Sequence, residues 1–275
     1  GTFTEEAAAA GLGGGTVETS GARFGDFDED GDLDLLVVSP DGPPALYSNQ
    51  RQGIFREITE DAGLSHIQGV RSVAVGDYNN DGFLDLFFAS TEPGGSGLYL
   101  NRGDGSFAPD DISENVSRTL GGVRAMDGAF FDFDNDGFLD LMVVGEAAGE
   151  GGSGVFLYHN DGNGKQWLAP DNLPADLISG REITLFDYND DGDLDVAVTG
   201  LDGGVRLFRN DGGNNHNYIK MKLVGLKAGS AKNNYYGIGA RVEVRAGSLY
   251  QSAVVTGPDI HFGLGPRSQA EVIRI

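Results

Sequence analysis

The chain has 275 residues and a formal charge of −23, with 42 acidic against 19 basic residues. That balance excludes nucleic acid, whose phosphates are held by Lys and Arg, and disfavours anionic membrane surfaces. The absence of cysteine removes disulfides, thiolate chemistry and Cys-based zinc sites.

The length suits one large all-β domain or two ordinary ones. No apolar run approaches the roughly 18–20 residues needed to span a bilayer. Neither an initiating Met nor a signal peptide opens the sequence, so a processed chain or a piece of a longer one is expected.

From the start, Gly1-Thr2-Phe3 with Gly11-Leu12 matches Gly53-Ile54-Phe55 with Gly63-Leu64. The chain therefore begins inside a repeat, on what reads as a fourth strand. An apolar approach, Arg23-Phe24-Gly25, then leads into the acidic stretch Asp26-Phe27-Asp28-Glu29-Asp30-Gly31-Asp32-Leu33-Asp34. The stretch returns with its first residue at Asp77, Asp132 and Asp187, at spacings of 51, 55 and 55 residues. Each copy is followed by an apolar run (Leu35–Val38, Leu86–Ala89, Leu141–Val144, Val196–Thr199), a turn, and a second run ending in Asn49, Asn101, Asn160 or Asn210. A polar glycine turn leads to a fourth piece at Gly53–Ile58 and Gly105–Phe107, weaker at Gln166–Leu168. No such piece follows Val205–Phe208.

Short β-branched and aromatic runs between Gly, Asn and Asp turns, without a convincing helical period, predict strands. Four strands in about 50 residues, repeated, is the arithmetic of a β-propeller blade. The predicted fold is all-β: a propeller of four-stranded blades, four repeats visible, followed by a small antiparallel β-module. Either the N-terminal strand completes the last blade and closes the ring, or the four blades are part of a larger ring. The second is favoured, because four blades would make an unusually small circle.

Past Asn217 the runs Tyr218–Val224 and Gly239–Ala246 alternate apolar with charged residues, as half-exposed antiparallel strands do. Residues 1–215 carry a net −28 and residues 216–275 a net +5. We therefore divide the chain into blades at 1–215 and a module at 216–275.

Oxygen-bearing side chains at alternate positions, with a tight turn at Gly31, Gly82, Gly137 and Gly192, suit a hard cation that takes six to eight oxygens. The candidate metal positions are Asp26, Asp28, Asp30, Asp32 and Asp34; Asp77, Asn79, Asp81, Phe83 and Asp85; Asp132, Asp134, Asp136, Phe138 and Asp140; and Asp187, Asn189, Asp191, Asp193 and Asp195. The seventh residue varies between Asp and Phe, as expected where only its carbonyl binds. Position twelve is Val37, Phe88, Val143 or Val198, inside strand-like runs, where an EF-hand needs a bidentate Glu. About four Ca²⁺ ions are expected, as structural staples. They would bring the formal charge to −15.

These loops, at this spacing, resemble FG-GAP or VCBS repeats, the calcium-bearing blades of integrin-α-type propellers. In that family the ion sits in the hairpin between two strands of a blade, held through positions one, three, five, seven and nine. The segments Asn215–Leu223, Gly237–Val244 and His261-Phe262-Gly263-Leu264-Gly265 resemble the ASPIC/UnbV module, which follows such repeats in secreted bacterial proteins and in cartilage acidic proteins. Two departures stand out: a short interval between Gly247 and His261, and no Trp-Pro-Ser-Gly ending before Ile275.

The resemblance implies an extracellular or cell-surface binding or scaffold protein (periplasmic or outer-surface in a bacterium) that recognises protein or glycan. It implies no catalytic residues and no transmembrane segment. Two other readings stay open: the propeller part of a secreted carbohydrate-active enzyme, and a subunit of a surface polymer in which the acidic blades of one copy meet the basic module of another.

Other motifs are weaker. Arg23, Arg71, Arg124 and Arg181 precede the four loops and are read as salt-bridge partners of nearby carboxylates, ahead of an anion-binding channel. His66, His159, His216 and His261 are scattered and read as structural. Asn115-Val116-Ser117 is a formal glycosylation acceptor. Gly-x-Ser-x-Gly and GxxxxGK[ST] patterns are absent.

Overall fold

The computed structural model describes all residues except 1, 14–16, 148, 150–152, 163–166, 169–172, 174–178, 213–215 and 226–233, and omits the side chains of 111–115, 167 and 168. Gly1, Gln166 and Asn215, which enter the sequence patterns above, lie outside the described residues.

Four antiparallel meanders follow one another. The first runs β1 (Gly21–Gly25), β2 (Asp34–Val38), β3 (Ala45–Asn49) and β4 (Phe55–Glu57). The second runs β5 (Val70–Gly76), β6 (Asp85–Ser90), β7 (Gly97–Asn101) and β8 (Phe107–Pro109). After a helix, α1 (Asp111–Leu120), come β9 (Arg124–Phe131), β10 (Asp140–Glu146), β11 (Val155–Asn160) and β12 (Trp167–Leu168). The fourth sheet has three strands, β13 (Glu182–Phe186), β14 (Asp195–Thr199) and β15 (Val205–Phe208). Local pairing of this kind needs only short turns, and Gly, Asn and Asp supply them.

The sheets stack face to face because the second strand of each is apolar on both sides. In β6, Leu86 and Phe88 enter the core shared with the first sheet, among Leu36, Val38 and Leu46. Its alternate residues Phe87 and Ala89 face the third sheet, with Leu141, Val143 and Tyr158. In β10 the other pair, Met142 and Val144, meets Val196 and Val198 of the fourth sheet. One strand thus builds two cores, as period-two alternation requires. Burying Leu86, Phe87 and Phe88 stabilises the stack by about 1.5–3 kcal/mol per side chain.

At the ends of the stack this double burial stops: Phe24 is 57 % and Val205 71 % exposed. Among the described residues no pairing joins the fourth sheet to the first, and no closed ring is detected. The N-terminal segment does not form the expected strand, since residues 2–6 are irregular. It turns at Ala7–Gly11, and the Ala10 carbonyl accepts from Phe55 N at 2.7 Å, as the Ala62 carbonyl accepts from Phe107 N at 2.9 Å. It thus serves the first sheet as residues 59–64 serve the second, rather than closing onto the fourth.

The helix α1 is a second difference. Val116 and Leu120, one turn apart, are buried against the second and third sheets, and Gly121, at φ 51°, follows its end. One buried stripe in ten residues is too short a period to stand out in a β-rich sequence. The glycosylation tripeptide falls in this helix, where the Ser117 hydroxyl donates to the Ser96 carbonyl at 2.6 Å.

Past the fourth sheet lie β16 (Asn217–Met221), β17 (Arg241–Ala246), β18 (Leu249–Val254), β19 (Ile260–Gly265) and β20 (Val272–Arg274). Here β16 pairs with β19, and β17 lies between β18 and β20. Val242, Val244, Phe262 and Leu264 form a core of their own.

Candidate metal centres

All four acidic loops join the first strand of a sheet to its second, so all four lie at one end of the stack. Their closure is identical in kind. The glycine at position six takes φ of 86°, 96°, 96° and 93°, the left-handed region. Its N–H donates to the position-one carboxylate: Gly31 to Asp26, Gly82 to Asp77, Gly137 to Asp132 and Gly192 to Asp187, at 2.8–3.2 Å. Position three accepts from the N–H of position five, and position five from that of position seven, as in Asp28, Asp30 and Asp32.

The position-nine carboxylate is held from two sides. Asp34 accepts from Phe27 N at 3.0 Å and from Asn49 N at 2.8 Å; Asp140 and Asp195 repeat this with Phe133 and Asn160, and with Tyr188 and Asn210. Asp85 accepts from Asn101 N. These bonds aim the carboxylates inward. In the first loop, carboxylate oxygens of Asp26, Asp28 and Asp34 lie within 4.8 Å of one another, and Asp132, Asp134 and Asp140 do the same in the third. The second and fourth loops carry Asn79 and Asn189 at position three.

The residues fit a cation. Buried oxygens Asp26 Oδ1, Asp187 Oδ1 and Asp193 Oδ2 have no hydrogen-bond donor. Desolvation, opposed by backbone N–H donors, pushes Asp34 up to about 6, Asp77 to about 7, and Asp85 and Asp132 to about 8. Asp140 is raised well above the carboxylate range, also by burial. Carboxylates so crowded need protons or a cation between them. Positions one, three, five and nine would supply the side-chain oxygens of a hard-cation cage.

The side chains at position seven turn away from the cluster in the first three loops. Asp32 pairs with Arg51 at 2.5 Å, and the rings of Phe83 and Phe138 lie against Gly103 and Gly162. In the fourth, Asp193 accepts from Asn135 Nδ2 at 2.8 Å.

Two sets of residues escaped the sequence reading. In the second to fourth sheets the asparagine at the end of the third strand, or two residues past it, staples that sheet to the one before. Asn101 Nδ2 donates to Leu84 O and to Phe27 O of the preceding loop, Asn160 to Leu139 O and Tyr78 O, and Asn210 to Leu194 O and Phe133 O. Their recurrence was visible, but nothing in the sequence said where the amide pointed. The second set is position four: Glu29, Asn80, Asn135 and Asp190, all with φ of 57–59°. Asn80 Nδ2 donates to Gly137 O of the next loop at 2.9 Å.

The histidines are less scattered than their sequence positions suggest. His216 Nδ1 donates to Asp134 O at 2.7 Å, His261 Nε2 to Asn135 Oδ1 at 2.6 Å, and His159 Nε2 lies 3.4 Å from Asp134 Oδ2. Three of the four therefore surround the third loop. The arginine reading holds for one residue: Arg124 pairs with Glu146 at 3.9 Å, whereas Arg23 bonds the Ala22 carbonyl. Among the described residues Arg71 and Arg181 make no ion pair.

A family model described as FG-GAP-like repeat matches residues 26–88, 78–143 and 132–198. Cartilage acidic protein 1 of Homo sapiens is 30 % identical over 220 residues, covering 74 % of this chain and 31 % of that protein. Integrin alpha-V of Gallus gallus is 28 % identical over 217 residues, covering 67 % and 20 %. The chain thus spans a third or less of the length of these relatives. A solved Agrocybe aegerita lectin that recognises non-reducing terminal N-acetylglucosamine covers 70 % of this chain and 53 % of its own, at 20 % identity and a TM-score of 0.41. At that score the likeness carries no argument.

Proposed function

Because the chain belongs to the FG-GAP-like repeat family, we propose that it is a calcium-stapled binding or scaffold protein of the extracellular or cell-surface space, acting in adhesion or matrix assembly on a protein or glycan partner. The observation that carries the metal half is the convergence of Asp26, Asp28 and Asp34, and of Asp132, Asp134 and Asp140, with buried oxygens that lack donors at Asp26 in the first loop and at Asp187 and Asp193 in the fourth. Ca²⁺ suits this oxygen-only set better than Mg²⁺, which keeps its waters. About four ions are held, one per loop, through the twenty positions named above, with position seven giving its carbonyl. Millimolar extracellular calcium would fill such sites.

Binding rather than catalysis follows from the use made of the carboxylates, which are committed to loop closure and metal. Cartilage acidic protein 1 and integrin alpha chains supply the matrix and surface setting. The division into blades at 1–215 and an ASPIC/UnbV-like module at 216–275 is part of this reading. The −28 and +5 segments meet within one chain, through Lys220 with Asp187 and Arg241 with Glu29.

The test is retention of the immobilised full chain on extracellular-matrix proteins and a glycan array, with calcium and with EDTA. Saturable binding that needs calcium is expected. Calcium-independent binding, or turnover of a glycan instead of retention, contradicts the proposal.

A further inference from the structure

The C-terminal strands are seated over all four loops, and each contact falls on residues that the metal cage itself does not use or uses only in part. Arg241, at the start of β17, donates through Nη1 to Glu29 of the first loop and through Nη2 to the Gly82 carbonyl of the second, at 2.6 Å. Gly265 N donates to the Asn135 carbonyl at 2.7 Å, and His261 Nε2 to its side-chain oxygen. Lys220 Nζ stands 3.0 Å from Asp187 and 3.2 Å from Asp190. The fit is close: a Cβ at Gly137 would lie 2.4 Å from Leu249, and one at Gly192 would overlap the Tyr218 ring.

The loops are also tied to one another. Asn80 reaches the third loop, and buried Asn135 donates to Asp193 of the fourth while accepting from His261. From the first loop through Arg241 to the second, then through Asn80, Asn135 and Lys220, the contacts run without a break. Position four recurs in that path as Glu29, Asn80, Asn135 and Asp190. In all four loops this residue is left-handed, a conformation that Asn and Asp tolerate better than Glu.

We propose that these position-four side chains, with Arg241, His261 and Lys220, are positioning residues of an outer shell that makes metal binding at the four loops and seating of the C-terminal strands one linked equilibrium. The proposal rests on the calcium reading above. A loop emptied of its cation holds mutually repelling carboxylates, and its relaxation moves the position-four residue that the C-terminal strands grip. Reciprocity then requires that the seated strands tighten calcium. Outer-shell partners of metal ligands commonly change affinity 10–100-fold, whereas exposed ion pairs alone do little. Arg241 and Glu29 are only 27 % and 28 % exposed.

The test uses the full chain and two variants. Asn135→Ala removes the side-chain bonds to Asp193 Oδ1 and Gly192 O and the one from His261 Nε2, at a residue that is not a ligand. Arg241→Lys keeps the charge but cannot span two loops. Calcium titration by calorimetry and hydrogen exchange of β16–β20 are read together. Chelation is expected to speed exchange in β17–β19 along with the loops, and each variant to raise the calcium midpoint about tenfold. Exchange in those strands that ignores calcium overturns the coupling, and so do midpoints within twofold of the parent in both variants. Should Asn135→Ala not fold, Arg241→Lys decides alone. A parent chain that binds no calcium overturns the calcium reading as well, whereas one that binds it with silent C-terminal strands overturns the coupling alone.

Discussion

The stacked sheets and the C-terminal strands are both antiparallel β-structure, yet they solve opposite problems. Each sheet is a local meander, the second strand of each inner sheet feeds two cores, and repetition gathers a carboxylate cluster at the same end every time. The C-terminal strands pair across sequence distance, β16 with β19 and β17 with β20, enclose their own core, and bring a net +5 to a net −28. Repetition concentrates charge that the repeat cannot neutralise. A non-repeating segment can offer the loops different partners: one guanidinium shared by the first two, an imidazole at the third and an ammonium at the fourth.

Removing metal should separate the two regions most strongly. Each site held at a hundred times its dissociation constant adds about 2.7 kcal/mol, and a kcal/mol moves the melting point of a domain this size by about 2–4 °C. EDTA is therefore expected to lower the melting temperature of the calcium-loaded chain by about 10 °C or more, checked by calorimetry. An unchanged transition would place the stability in the apolar cores alone.

The staple asparagines give the next effect. Asn101→Ala strips donors from two buried carbonyls, Phe27 and Leu84, and is expected to cost about 2–4 kcal/mol. Asn49, with no preceding sheet, reaches only Leu33, so Asn49→Ala should cost about 1 kcal/mol. Urea melts in calcium compare them. Equal costs would deny that the amide links neighbouring sheets.

A smaller effect follows from proton linkage. Without metal, Asp34, Asp77, Asp85 and Asp132 are raised to about 6, 7, 8 and 8 by burial, against about 3.9 in an unfolded chain. The folded form then binds more protons than the unfolded form between about pH 4 and 8, so its stability falls as pH rises through that window. Metal-free protein should melt higher at pH 5 than at pH 8, and excess calcium should reverse the order. Smallest is Arg124→Ala, which removes a 3.9 Å pair between half-exposed partners and should cost less than about 0.5 kcal/mol.

The blade strands and the loop positions were legible because apolar alternation and ligand spacing repeat, so that each copy corroborates the others. The helix α1 was not, since Val116 and Leu120 make one short stripe with no second copy. The staple role of Asn101, Asn160 and Asn210 was half legible: the residues recur, but their amides act on the preceding sheet, 74–82 residues back. The gathering of His159, His216 and His261 on the third loop was not legible at all. It depends on where a non-repeating segment lands, and no local pattern encodes that.

Anomalous scattering from crystals of the full chain grown in millimolar calcium tests the central claim directly. Four peaks are predicted, one per loop, each with oxygens of positions one, three, five, seven and nine at about 2.3–2.6 Å. Loops without a peak under saturating calcium, or peaks elsewhere with Asp34, Asp85, Asp140 and Asp195 unligated, would contradict it.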